Sequence, residues 1–223
     1  MASFPDSLTP LQRDLLASFF RSERGFFLTG GSALAGFHLG HRSSLDLDLF
    51  TLDDEAFGRG HGALTGAASA IGASVESLQT TPGFRRYLVR RGEESVLVDL
   101  VRERTTQLQE KEEREGIIVD PASEILANKL TTLAGRCEIR DLVDVYFLER
   151  SGLSLEDALA AAERKDGGVT PAVLAWVLSQ ITIGDRAAIP GGVSPAELRQ
   201  FKETLETKFR RLAYPEGDSA AGD

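Results

Sequence analysis

Between Leu45 and Phe50 the chain alternates leucine with aspartate, Leu-Asp-Leu-Asp-Leu-Phe. A β-strand sends successive side chains to opposite faces. The pattern therefore predicts a strand with Leu45, Leu47 and Leu49 in a core and Asp46 and Asp48 together on the other face, about 7 Å apart at the backbone. A helix would scatter the same residues around its axis. Aligned like charges on an apolar strand cost stability unless a cation neutralises them. Two carboxylates at this spacing can share a hard divalent ion.

Two further features bear on that strand. Val96–Val101 is a buried-type run interrupted by one acid, Asp99. A buried carboxylate needs a metal, a basic partner or a raised pKa; a metal-facing position beside the Asp46–Asp48 strand meets that need, and an ion pair with an arginine such as Arg86 would meet it too. Upstream, Gly30-Gly31-Ser32 stands where a short strand, Phe26–Thr29, gives way to a helix, Ser32–Leu39. Glycines allow close backbone approach, and free N–H groups at a helix start favour phosphate oxygens. A phosphate cradle followed by three carboxylates is the constellation of phosphoryl or nucleotidyl transfer with two divalent ions. No Walker pattern is present, so a P-loop NTPase is not expected.

The remaining organisation is legible from caps and periodicity. Thr9-Pro10 opens a helix carrying Leu11, Leu15, Leu16 and Phe19. Asp53 or Asp54 caps a second one reaching Ile71. Ser74–Gln79, Phe84–Arg90 and Ser95–Arg102, separated by Thr81-Pro82-Gly83 and Arg91-Gly92-Glu93, read as an antiparallel meander. After a charged connector, Arg104–Glu115, the pattern turns helical: a helix opened by Asp120-Pro121, then Ile139–Leu148, Leu155–Ala162, Pro171–Ile181 and Pro195–Leu212. The expected division is an α/β core over 1–115, a helical part over 116–213 and a flexible tail over 214–223, where apolar bulk is nearly lacking.

Of 223 residues 42% are hydrophobic and 26% charged, with a net charge of -9. That acidity argues against indiscriminate polyanion binding, which depends on Lys and Arg. The Arg85–Arg91 cluster and the basic residues of the last helix are the expected RNA-facing surfaces. The single cysteine, Cys137, rules out an intramolecular disulfide framework. Apolar runs such as Phe26–Leu28 fall short of the roughly 18 residues a membrane span needs, and Met1–Ser7 has no signal-peptide core, so a cytoplasmic protein without membrane contact is expected. His38 and His41 lack a third ligand and read as ordinary side chains; His61 and Cys137 carry no assignable chemistry.

The segments Gly30-Gly31-Ser32-Ala33-Leu34 and Arg42-Ser43-Ser44-Leu45-Asp46-Leu47-Asp48-Leu49-Phe50 resemble the signature of the polymerase-beta-like nucleotidyltransferases, and more narrowly of the AbiEii/AbiGii-type toxin group. The likeness continues in Glu124-Ile125-Leu126-Ala127-Asn128-Lys129-Leu130, then Arg136, Arg140-Asp141-Leu142-Val143-Asp144 and Tyr146, similar to the group's helix-borne lysine and later Arg-Asp-x-x-Asp motif.

The resemblance implies an α/β (α+β) fold, with a small mixed sheet followed by a C-terminal helical bundle that completes the active site. It implies Mg²⁺-dependent transfer of a nucleoside monophosphate from an NTP to an acceptor, which in relatives can be the tRNA 3′ end, and a cognate antitoxin. Carried onto this chain, Gly30, Gly31, Ser32 and Arg42 would hold the triphosphate, and Asp46, Asp48 and Asp99 the ions. Lys129 would pair with the phosphates. Asp144, with Asp141, would complete the site or position the substrate.

Read from the residues alone, Lys129 can equally be a lysine snorkelling from an apolar helix face. Asp141 and Asp144, three apart on one helix, can equally serve a cap or an ion pair with Arg140. Two rival functions stand beside the toxin. One is a nucleotidyltransferase for small-molecule or protein acceptors, which the acidity suits; the other is a catalytically silent nucleotide-binding homologue, which the three acids argue against.

Overall fold

The computed structural model describes residues 7–215 except Cys137. The chain divides into two compact units, 1–125 and 126–223.

In the first unit, helix α1 (Pro10–Ser22) begins as its sequence dictates. The Thr9 hydroxyl accepts from the Gln12 amide at 3.2 Å, and the Gln12 side chain accepts from the Thr9 amide at 2.8 Å. Such a reciprocal cap contributes about 1 kcal/mol. Strand β1 (Phe27–Thr29) leads into α2 (Gly30–Ala33), which runs on as a π-helical turn over Leu34–His38. Strand β2 (Asp46–Thr51) follows, then α3 (Asp54–Ala70), capped by Asp53 through the Glu55 amide at 2.8 Å. The meander expected next is present as β3 (Ser74–Thr81), β4 (Phe84–Arg91) and β5 (Glu94–Arg102), antiparallel throughout.

The sequence pattern missed one element. The charged connector ends in a short strand, β6 (Glu112–Arg114), which forms a hairpin with β7 (Ile117–Val119) just beyond it. Its turn residues Glu115 and Gly116 both have positive φ, 51° and 79°. That is the left-handed pair a tight hairpin needs. Arg24 ties it down, donating to the Gly116 carbonyl at 2.9 Å and to Glu113 at 2.7 Å. Because β7 pairs in parallel with β1, Leu28 against Val119, this hairpin belongs to the sheet, and the first unit extends past residue 115.

The resulting mixed sheet has the order β3-β4-β5-β2-β1-β7-β6 among the described residues. One face is apolar: Leu47, Leu49, Tyr87, Val89, Val98 and Leu100 are buried, and α1 and α3 pack against each other and the sheet. Period-two alternation puts the aspartates of β2 on the opposite face. Leu45 corrects the sequence expectation. Pairing with β5 begins only at Asp46, so Leu45 sits in the bend before the ladder, 75% exposed rather than in the core.

The second unit is helical, with α5 (Ile139–Arg150), α6 (Leu155–Lys165), α7 (Pro171–Gln180) and α8 (Pro195–Ala213) following α4 (Ala122–Gly135), within which the unit boundary falls. Ser154, Thr170 and Ser194 each cap a helix through the side-chain oxygen, the last two directly before a proline. Helices α7 and α8 pack together, burying Leu174, Leu178, Leu198, Leu205 and Phe209. Residues 216–223 of the expected tail lie outside the described residues. No described helix is long and apolar enough to cross a membrane.

Candidate active site

In the first unit the structure gathers Gly30, Gly31, Arg42, Asp46, Asp48 and Asp99. Parallel pairing of β2 with β5 sets Asp48 directly beside Asp99, and antiparallel pairing of β1 with β2 sets Thr29, the residue before the glycines, opposite Asp48. The glycine turn thus lies against the carboxylates.

Gly30 has φ +64°, and a Cβ built on it would collide with Asp48 Oδ2. A Cβ on Gly31 would come within 2.6 Å of Arg42 Nη2 and 3.3 Å of Ser44 Oγ. The backbone at Gly30 packs directly on that carboxylate and at Gly31 on that guanidinium, so a side chain at either position would have to push its neighbour aside. Gly30→Ala is therefore expected to displace Asp48 and strain the backbone by about 1–2 kcal/mol. Its transfer rate should fall by far more than its melting temperature. A rate equal to wild type in a label-transfer assay would contradict this packing.

Ser44, to which the sequence assigned no role, is buried and donates from its hydroxyl to Asp46 Oδ1 at 3.1 Å. Its backbone carbonyl accepts from Gln12 Nε2 at 2.9 Å. Ser44 precedes the first ladder residue, Asp46, so the alternation did not place it; its position two residues before Asp46 in the Arg42–Phe50 segment was the available signal. Ser32 is fully buried, and its hydroxyl donates to the Thr29 carbonyl at 3.3 Å, shaping the turn.

Behind the turn lies a buried polar knot. The Thr29 hydroxyl donates to Asp120 Oδ2 at 2.6 Å, Lys111 pairs with Asp120 Oδ1, and His38 Nε2 meets the Asp120 carbonyl at 2.8 Å. Burial pushes the Asp120 carboxyl above its ordinary range, partly offset by Lys111 and Thr29. Burial also lowers the His38 pKa. His38 is an ordinary structural histidine here, as expected; Asp120 was read only as the start of a helix. It enters the core because the Asp120 amide continues the β7 ladder onto the Leu28 carbonyl at 2.8 Å.

Asp99 is clamped rather than open. Arg86 Nε donates to Asp99 Oδ1 at 2.8 Å and Arg86 Nη2 to Asp99 Oδ2 at 2.6 Å. Among the described residues, no three His, Cys, Asp or Glu side chains are arranged to hold a metal. The pair Asp46 and Asp48 still fits Mg²⁺, which proteins bind through one or two carboxylates with water and substrate phosphates completing its shell.

The arginines expected as an RNA surface are likewise engaged within the unit. Arg85 lies 4.4 Å over the Phe57 ring and donates to the Phe57 carbonyl at 3.1 Å; Arg90 pairs with Glu76 at 3.2 Å and Arg91 with Asp14 at 2.6 Å. In the second unit, Lys208 pairs with Glu156 at 2.8 Å and Arg210 with Glu206 at 2.7 Å. Neighbouring acids thus balance much of the charge that these clusters displayed in the sequence.

Also within the second unit, Lys129 Nζ lies 2.7 Å from Asp141 Oδ1 and 2.7 Å from Asp144 Oδ2, with both aspartates almost wholly buried. Arg140, the alternative partner, turns to Glu138 at 3.0 Å. Burial alone would lower the Lys129 pKa, but Asp144 and Asp141 together carry it above its ordinary value. Among the described residues, Asp141 Oδ2 has no hydrogen-bond partner, and Arg136 Nε stands 3.7 Å away.

A mixed sheet that presents paired aspartates beside a glycine turn is the framework of a nucleotidyltransferase. Residues 13–216 match the family model described as "Nucleotidyl transferase AbiEii toxin, Type IV TA system", and the chain belongs to that family. It is thus a nucleotidyltransferase of the toxin type, with a nucleotide substrate and an antitoxin partner implied by the family. Solved structures share the fold. JHP933 from Helicobacter pylori superposes with a TM-score of 0.52 at 21% identity, covering 91% of this chain and 92% of that one. MenT4, a nucleotidyltransferase toxin from Mycobacterium tuberculosis, gives 0.51 at 16% identity, covering 92% and 83%. No curated protein matches the sequence.

Proposed function

We propose that this chain transfers a nucleoside monophosphate from an NTP, with Mg²⁺, to an RNA acceptor such as the 3′ end of tRNA, and that this transfer is the toxic activity its antitoxin restrains. The observation that carries the chemistry is the Asp46–Asp48 pair on one face of β2, with Asp48 held against Gly30. The RNA acceptor rests on the family resemblance.

In this reading the acceptor hydroxyl oxygen attacks the α-phosphorus and gives its proton to water, the bond to the bridging α–β oxygen breaks, and pyrophosphate leaves. Asp46, oriented by Ser44, and Asp48, packed against Gly30, would hold Mg²⁺. Bound there, Mg²⁺ supplies charge stabilisation on the phosphates and a more acidic acceptor hydroxyl. The Gly30-Gly31 backbone at the start of α2 and Arg42 hold the triphosphate. Within the second unit, Asp141 and Asp144 hold the Lys129 ammonium between them, and that cluster supports the helices that carry it.

Incubation with NTP labelled at the α-phosphate, with and without Mg²⁺, tests this chemistry. Label joined to an acceptor with equimolar pyrophosphate, only when Mg²⁺ is present, is the expected result. Label released as inorganic phosphate would contradict it.

A further inference from the structure

The first unit carries a fixed cation on its acidic face. Strand register lines up Asp48, Asp99 and Arg86 in one row across β2, β5 and β4. Neighbouring strands are about 4.8 Å apart, so two carboxylates stand side by side with a guanidinium next in line. Like charges directly opposite each other destabilise a sheet, and a carboxylate as buried as Asp99, with 7% of its side chain exposed, needs a compensating charge. Arg86 supplies it through a two-pronged fork onto both Asp99 oxygens. The guanidinium also lies 5.5 Å from the Phe84 ring centroid, and 39% of the Arg86 side chain remains exposed.

Arginine holds its charge at any physiological pH. Here Asp99, and more weakly Asp46 and Asp48, raise its pKa further, despite the opposing effect of burial. The guanidinium therefore feels all three acids of the face. A second divalent ion on Asp99 would have to displace a bidentate, charge-assisted pair, the strongest kind of side-chain hydrogen bonding.

We propose that Arg86 is a built-in replacement for the second metal ion: Asp99 anchors the guanidinium instead of ligating metal, and the site binds one divalent ion, on Asp46 and Asp48. The free edge of the guanidinium, centred on Nη1, then serves as the second positive partner for the phosphates. This rests on the reading of Asp46 and Asp48 as metal ligands, and its test separates the two.

The test is low-temperature electron paramagnetic resonance of the full chain with Mn²⁺ and an α,β-methylene NTP. Two ions about 4 Å apart, the two-metal spacing, give a magnetically coupled spectrum, whereas a single ion gives an isolated one. The wild-type protein is expected to give an isolated, protein-bound spectrum that Asp48→Asn removes. Arg86→Leu, which frees Asp99, is expected to convert it to a coupled pair. Asp99→Asn is expected to keep the isolated spectrum with Mn²⁺ affinity within about threefold of wild type, and it decides the matter if Arg86→Leu does not fold.

A coupled pair in the wild type, an isolated spectrum persisting in folded Arg86→Leu, or loss of bound Mn²⁺ in Asp99→Asn would each overturn the role of Arg86. A protein-bound Mn²⁺ spectrum unchanged by Asp48→Asn would instead overturn the Asp46–Asp48 metal site, and the Arg86 proposal with it.

Discussion

Asp48→Asn is expected to reduce nucleotidyl transfer about a thousandfold or more while leaving the fold in place. Asp48 stands in the middle of the acidic row, between Thr29 on β1 and Asp99 on β5, with its carboxylate packed on Gly30. The amide keeps that shape but loses the charge that would hold the ion. Metal-assisted stabilisation of the transferring phosphate supplies several kcal/mol of the barrier reduction, and each 1.36 kcal/mol is a factor of ten in rate. Stability should hardly change, because the side chain is only half-buried and stands among other acids. Single-turnover label transfer beside a thermal melt measures both quantities. A variant within tenfold of wild-type rate would remove Asp48 from the chemistry.

Lys129→Ala should instead show first in stability. Its ammonium is shared by Asp141 and Asp144, both nearly inaccessible to solvent, and removing it strands two buried carboxylates. Breaking a buried pair in this way costs about 3–5 kcal/mol. Urea denaturation at neutral pH measures it, and a loss below about 1 kcal/mol would mean that the cluster is solvated in solution. Adding Asp141→Asn and Asp144→Asn to Lys129→Ala should recover part of the loss by removing the stranded charges.

The pH dependence follows from the raised lysine pKa. The ammonium's contribution to stability is complete below the ordinary value of 10.5 and is lost as pH rises through the higher folded value. The wild-type protein should therefore weaken at strongly alkaline pH, and the Lys129→Ala variant should lack that component.

Much of this was legible in the sequence because it depends on short-range rules. Thr9-Pro10, Asp53 and Ser194-Pro195 announce helix starts through local hydrogen bonding. The Leu-Asp alternation announces the two faces of β2, and the glycines upstream announce a turn that Asp48 then occupies closely.

What was not legible depends on partners distant in the chain. The β6–β7 hairpin has strands of only three residues, and the apolar run Ile117–Val119 becomes recognisable as a strand only when β1 is there to pair with it. Leu45 follows the alternation perfectly but precedes the first ladder partner, so nothing holds it to the core face. The sequence left open whether Asp99 meets metal or Arg86. Register decides what lies across from it: Arg86, on the neighbouring strand and same face, is within reach of both its oxygens. For Lys129 the sequence weighed phosphate against snorkelling and missed a third state, an ammonium held between two buried acids on the next helix.

The most direct test of the proposed activity is transfer of α-phosphate label from each ribonucleoside triphosphate to total tRNA, with Mg²⁺, by the wild-type and Asp48→Asn proteins. The expected result is label at the tRNA 3′ end, from one or a few of the nucleotides, which disappears with Asp48→Asn and when the terminal ribose is oxidised with periodate beforehand. Label that passes only to protein or small-molecule acceptors, with tRNA unlabelled, would contradict it.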